Sequence, residues 1–237
     1  EANLHHLVAD LTINRNDWDG YVREVGRSHG SEAEEYAQRF VRTRQRPPDY
    51  SLAMMRSVLA SARGAIVHSD AVGGELRAQG FEGRMARIPH GAWTEPVDRM
   101  SYRARLGVNE RTPLVGIFWF LKPYKRIAES LRAFRRLARA VPDARMILVG
   151  EAHPELSLTS LITSMGLREQ VRHLDFVPID DFNGYLGACD IVLNLRYPTV
   201  GESSGTLQRA LGMGKAVIVS DVGSFRELPG GVCLLTD

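Results

Sequence analysis

The sequence predicts an α/β fold: a parallel sheet covered by helices on both faces, preceded by a mostly helical partial domain. Three observations carry this. From Leu114 onward, short apolar runs of buried-strand length alternate with segments of helical period, as right-handed β–α–β crossovers require. Glycines, prolines and Ser caps punctuate the passages between them. Before about residue 63 the apolar residues keep helical spacing and no convincing strand is present.

Taken in order, Leu4, Leu7, Val8 and Leu11 have helical spacing, and Trp18 to Val25 and Ser31 to Arg44 continue as helix. Pro47 and Pro48 break the pattern, and Leu52 to Ala62 resumes it with Met55, Val58 and Leu59. Ala65 to His68 reads as a short buried strand, Ser69 as the cap of a helix through Gln79, and Gly80 as its end. Met85 to Ile88 is a second strand, running into Pro89, His90 and Gly91. Trp93 to Asp98 reads as a linker, followed by a short helix from Tyr102 to Leu106. Strands are then expected at Leu114–Phe118, Met146–Val149, Val171–Phe176, Ile191–Leu195, Ala216–Val219 and Val232–Leu235. The helices between them are Lys125–Ala140, Leu156–Met165, Asp181–Leu186 and a short one carrying Leu207, Ala210 and Leu211 on one face. Ligands of such sheets bind at the loops leaving the carboxyl ends of the strands.

Composition narrows the classes. With 30 basic against 28 acidic residues the formal charge is +2, too balanced to single out nucleic acid or an anionic membrane as the main partner. Hydrophobic residues at 44% describe an ordinary globular chain. No apolar run approaches the roughly 20 residues of a membrane span, and no secretory signal pattern opens the sequence. Cys189 and Cys233 lack metal or redox-motif spacing and read as buried thiols of a reducing, cytoplasmic compartment. The chain opens on Glu1, so an N-terminal segment is expected to be missing.

Two loops carry chemistry. In the loop FLKPYKR, Lys122, Lys125 and Arg126 gather at the carboxyl end of a strand and near a helix start, where cations oppose the helix dipole. An anionic ligand explains them, Lys125 foremost; long basic side chains lying along an apolar surface are the alternative. Gly201, Ser203, Ser204 and Gly205 open the later helix, with Ser203 or Ser204 as N-cap. The free N–H groups there suit a phosphate, although an ordinary capped helix has the same pattern. Glu202 either stabilises that helix or accepts hydrogen bonds from hydroxyls of a sugar whose phosphates lie beside it. His90 is a hinge or packing residue before it is a catalyst, and a proton-transfer role for His5 or His6 is weakly signalled. Arg132, Arg135, Arg136 and Arg139 form the solvated face opposite Ile127, Leu131, Phe134 and Leu137. There is no Ser/His/Asp triad, HExxH, GxGxxG or P-loop.

The segments AIVHSDAV, IPHGA, GIFWFLKPYKR, MILVGE, VRHLDFVPIDDFNGYLGACDIVLNLRYPT and GESSGTLQRALGMGKAVIVSDVGSFRELP together resemble a family 4 (group 1) retaining glycosyltransferase of the GT-B fold. The resemblance runs from about residue 65 to the end and covers the C-terminal, Rossmann-like donor domain. It implies an incomplete acceptor-side domain and crossover over 1–92, and a donor nucleotide-sugar domain over 93–237, truncated at its C-terminus. The implied reaction moves a sugar from a nucleotide diphosphate sugar to a carbohydrate or lipid-linked acceptor hydroxyl, without metal or other cofactor. Peripheral membrane contact is compatible with it.

By resemblance Lys125 contacts the donor diphosphate, and Val177 lies in a loop that faces the base. Backbone amides from Ser203 through Ser204 and Gly205 to Thr206 would hold the phosphates. Two departures stand out: Phe120 occupies the place of a usual arginine, with Arg126 or Lys122 as substitutes for its charge. The family's paired glutamates fall on Gly201 and Arg209, with Glu202 one place off, so Arg209 is expected to face the diphosphate. The competing readings are a non-catalytic nucleotide- or sugar-phosphate-binding module of the same fold, and a generic flavodoxin-like domain.

Overall fold

The computed structural model describes residues 3–48, 51–92, 96–199 and 202–237. The expected start of the linker at Trp93 and the residue Gly201 lie outside the described residues. The chain forms two compact units: residues 1–89 with 200–203, and residues 90–199 with 204–237.

In the first unit, helices α1 (His5–Thr12), α2 (Trp18–His29), α3 (Ser31–Thr43) and α4 (Arg56–Ser61) precede strand β1 (Gly64–Val67), helix α5 (Asp70–Ala78) and strand β2 (Arg84–Arg87). β1 and β2 pair in parallel. Ser69 caps α5 as expected, its side chain accepting from the Val72 amide. Helix α1 departs from its sequence pattern. Leu7 and Leu11 are exposed, and the buried residues are His5 and Ala9. His5 is wholly buried because its Nε2 meets the Tyr21 hydroxyl at 2.7 Å and its Nδ1 the Ser51 hydroxyl at 3.1 Å. Those two bonds turn the helix so that an imidazole occupies the interior. His5 is a packed histidine. Helix α4 is also shorter than the expected Leu52–Ala62.

The second unit holds α6 (Arg99–Arg105), β3 (Leu114–Phe118), α7 (Ile127–Ala140), β4 (Arg145–Val149), α8 (Leu158–Ser164), β5 (Val171–Leu174), α9 (Ile179–Ala188), β6 (Ile191–Asn194), α10 (Gly205–Gly212), β7 (Ala216–Ser220) and β8 (Leu234–Thr236). Among the described residues, six strands form one all-parallel sheet in the order β5-β4-β3-β6-β7-β8. Every residue of β3 is buried, as in a sheet covered on both faces. Alternate residues then feed two cores. Leu114 and Phe118 join Leu186, Leu207 and Val219 on one face. Val115 and Ile117 join Ile127, Leu131 and Leu148 on the other.

The strand order reverses between β3 and β6, so the loops leaving these neighbours diverge and open a crevice at their carboxyl ends. Boundaries shift by a few residues from the sequence expectation. α7 starts at Ile127, because Pro123–Lys125 forms a 3-10 turn and Arg126 takes a left-handed conformation, φ 55°. The arginine face of α7 is exposed as expected, but Leu137 joins it.

The opposite edge is closed by charge. Arg103 is wholly buried, and its guanidinium donates to the carbonyls of Asn109, Thr112 and Ala188. Asp190, just before β6, accepts from Arg99 (2.5 Å), Arg103 (3.3 Å) and the Leu114 amide (2.8 Å). Burial pushes the Asp190 carboxyl up, but the amide and the two guanidiniums outweigh it and hold its pKa below the usual carboxylate value.

Candidate functional site

Lys125 closes its 3-10 turn with its side chain turned inward. It is 6% exposed, and Nζ donates to the carbonyl of Phe118, the last residue of β3, at 3.0 Å. The ammonium is thus held at the carboxyl end of a central strand rather than lying along the surface. Arg126 is half-buried and gives α7 its first residue outside the helix.

The turn carrying Lys125 is tied to the loop after β6. The Tyr124 carbonyl accepts the Tyr197 amide at 2.7 Å. The Tyr124 hydroxyl meets Nη1 of Arg196 at 3.3 Å, and the guanidinium lies 5.8 Å from the Tyr124 ring centroid. Arg196 is 8% exposed, and its Nη2 donates to the Ser204 hydroxyl at 3.1 Å. Ser204, and not Ser203, is the N-cap of α10, with its Oγ accepting from the Leu207 amide at 3.2 Å. Its hydroxyl donates to Oδ1 of Asn194 at 2.9 Å. One set of bonds thus runs from the Lys125 turn through Tyr124 and Arg196 to the opening of α10.

Gly205 and Thr206 begin that helix, where N–H groups lack intrahelical acceptors. The His90 imidazole stands against it, with Nε2 3.8 Å from where a Gly205 Cβ would lie, and Nδ1 2.8 Å from the Gly91 carbonyl. Arg209 is half-buried, and its Nη1 meets Oδ1 of Asn183 on α9 at 3.3 Å. Glu202 is buried and Ser203 half-buried.

A cavity of about 410 Å³ opens beside the crevice, walled by Trp119, Phe120, Gly150, Phe176, Val177 and Ile179. Val177, assigned from the sequence to a base-facing loop, lines it. Phe120 is one of its walls, with the Lys122 ammonium 5.3 Å from its ring centroid. Trp119 adopts φ 74°, which is rare for a bulky residue and marks a backbone fixed by its surroundings. Gly150, at φ 131°, admits it: a Cβ there would stand 2.4 Å from the Trp119 carbonyl oxygen. Among the described residues, no group of three or more His, Cys, Asp or Glu could hold a metal ion. Nor is any described helix long and apolar enough to cross a membrane. Cys189 and Cys233 are free thiols, and burial pushes both pKa values up.

Sequence reasoning missed Arg196, Asn194 and Tyr124. The signal for Arg196 was a lone arginine directly after an apolar run, which resembles an ordinary strand end.

Comparison with known proteins gives the architecture a context. HepE of Anabaena, solved in complex with UDP, superposes with a TM-score of 0.65 at 25% identity, over 78% of this chain and 52% of that one. Its complex with UDP-glucose gives the same score over 77% and 52%. Sucrose-phosphate synthase of Thermosynechococcus elongatus shares the fold at 17% identity and a TM-score of 0.66, over 93% of this chain and 65% of that one. A GDP-mannose-dependent monoacylated alpha-(1-6)-phosphatidylinositol monomannoside mannosyltransferase of Corynebacterium glutamicum is 29% identical over 96 residues, 40% of this chain and 25% of that protein. The chain therefore spans about half of HepE and a quarter of the mannosyltransferase. The expected α/β architecture, a parallel sheet flanked by helices as in GT-B glycosyltransferases, stands. The family described as glycosyl transferases group 1 matches residues 98–229, more than half of the sequence, and the chain belongs to it.

Proposed function

We propose that this chain carries the donor-binding half of a family 4 glycosyltransferase. That enzyme moves a sugar from a nucleotide diphosphate sugar to a carbohydrate or lipid-linked acceptor hydroxyl with retention of configuration. The observation that carries this reading is the buried Lys125 ammonium at the end of β3, linked through Tyr124 and Arg196 to the N-cap of α10. Both lie at the switch point of the sheet, where open α/β folds take ligands.

In the reaction, the bond between the anomeric carbon and the diphosphate oxygen breaks while the acceptor oxygen bonds to that carbon on the same face. The acceptor proton passes to the departing diphosphate. Lys125, Arg126 and the α10 amides at Ser204, Gly205 and Thr206 stabilise the charge that develops there, aimed at the leaving group before it leaves. Ser203 and Glu202 keep the roles assigned from the sequence, beside the phosphates and toward the sugar hydroxyls. Arg209 is assigned to the diphosphate side of α10, released from Asn183 when donor binds. The base enters the aromatic cavity beside Val177, as UDP would by analogy with HepE and GDP by analogy with the mannosyltransferase. No metal is needed in this scheme, and the enzyme works in the cytoplasm, touching membrane only peripherally.

A thermal-shift series with UDP, GDP, ADP and their sugars tests the reading. Ligand at a hundredfold excess over its Kd stabilises by about 2.7 kcal/mol. A shift with at least one diphosphate, lost in Lys125→Ala, is expected; no shift at millimolar ligand overturns the reading. A second reading, a binding module without turnover, is favoured by Arg209 engaging Asn183 where a ribose-binding carboxylate would stand. Release of free diphosphate by the full-length protein from its donor excludes that module.

A further inference from the structure

Arg196 has an unusual electrical setting. A cation beside a helix N-terminus faces the positive end of the dipole, and burial removes the water that would soften the repulsion. Arg196 meets both conditions, at 8% exposure and bonded to the N-cap of α10. Its backbone is fixed as well, since its amide donates to the Ser220 hydroxyl at 2.9 Å.

The Ser204 hydroxyl explains why the arginine is held there. A hydroxyl has one proton to give and two lone pairs to share. Ser204 gives its proton to Asn194 and accepts from Arg196 and Leu207, so its capacity is spent within the protein. It has nothing left for a ligand. It acts instead as a post that aims its two neighbours. Asn194, also 8% exposed, keeps a second group in reserve: with Oδ1 taken by Ser204, its Nδ2 has no hydrogen-bond partner among the described residues. A buried amide donor left unmade is costly.

We infer that Arg196 and Asn194, aimed by the saturated Ser204 hydroxyl, are the side-chain half of the diphosphate pocket of α10. The inference rests on the donor reading above and adds the residues that hold the phosphates opposite Lys125. Arg196 supplies charge and Asn194 an amide donor, complementing the backbone N–H groups of the helix. The ligand class is a nucleoside diphosphate; a nucleoside lacks the group they recognise.

Calorimetric titration of this chain with UDP, GDP, their parent nucleosides and inorganic pyrophosphate tests the inference, using Arg196→Gln, Arg196→Lys and Asn194→Asp. Loss of a charge-assisted hydrogen bond weakens binding by roughly 10- to 100-fold. Diphosphate and pyrophosphate affinity should fall by that much in Arg196→Gln and Asn194→Asp, and by less in Arg196→Lys. Nucleoside affinity should stay within about twofold, which also reports that the variant is folded. Equal loss for nucleoside and diphosphate, or diphosphate affinity unchanged, overturns the inference. If the native chain binds no diphosphate, the donor reading fails first. If Lys125→Ala weakens binding and Arg196→Gln does not, the donor reading survives and this inference alone falls.

Discussion

The two ends of β6 invite comparison. At its amino end, Arg99 donates to the carbonyls of Gly187, Ala188 and Cys189, Arg103 to Ala188, and Lys215 to Gly187. These cations sit at the C-terminus of α9, where the dipole welcomes them and unpaired carbonyls need donors. At its carboxyl end, Arg196 sits at the N-terminus of α10, against the dipole. The first cluster is complete without help from outside. The second is the one that the donor reading proposed above assigns to an anion. Two buried arginines thus sit in opposite fields according to which helix end each meets, and residue type alone does not tell them apart.

The largest expected effect lies at the amino end. Arg103→Ala strips the Asn109 and Thr112 carbonyls of their guanidinium donor and leaves Asp190 to Arg99 and the Leu114 amide, and should lower unfolding free energy by about 2–4 kcal/mol in urea titration. A loss under 1 kcal/mol would mean the amino end is not the closed cluster described. Next comes the strained backbone at Trp119 and Gly150. Gly150→Ala places a Cβ against the Trp119 carbonyl at positive φ and should cost about 1–3 kcal/mol, with weaker nucleoside binding as the cavity wall moves. Ser204→Ala removes an N-cap worth about 1 kcal/mol, and by freeing Arg196 should weaken diphosphate binding beyond what the stability loss explains.

The smallest effect lies on the pH axis. Because the folded Asp190 pKa is depressed, its contribution is fully present above the unfolded value near 3.9. It is lost as pH falls through the folded value. Acid unfolding of Asp190→Asn should thus show a shallower loss of stability below about pH 4. An unchanged slope would detach Asp190 from the cluster's energetics.

The sheet was most legible at its centre, where β3 and β4 are buried on both faces, so Leu114–Phe118 reads as one apolar run with no alternation to confuse it. Lys125 stood out as a candidate because cations near a helix start oppose the dipole, while its burial against the Phe118 carbonyl had no local signal. Arg196 did not stand out, since its setting depends on Tyr124, Ser204 and Ser220, brought together only by the crossovers. The same holds in the first unit. Leu7 and Leu11 promised an apolar face, but His5 bonds partners 16 and 46 positions away and rotates the helix. Periodicity reports what a helix prefers alone, and distant polar partners can outvote it.

Trp119 gives the crevice its own optical gauge. It is 60% exposed, wedged edge-on to Phe182 at 5.7 Å, and forms part of the cavity wall. A planar molecule sliding into that space would change the surroundings of the indole directly. With Trp18 and Trp93 replaced by phenylalanine, its fluorescence would follow occupancy in real time, with no label attached.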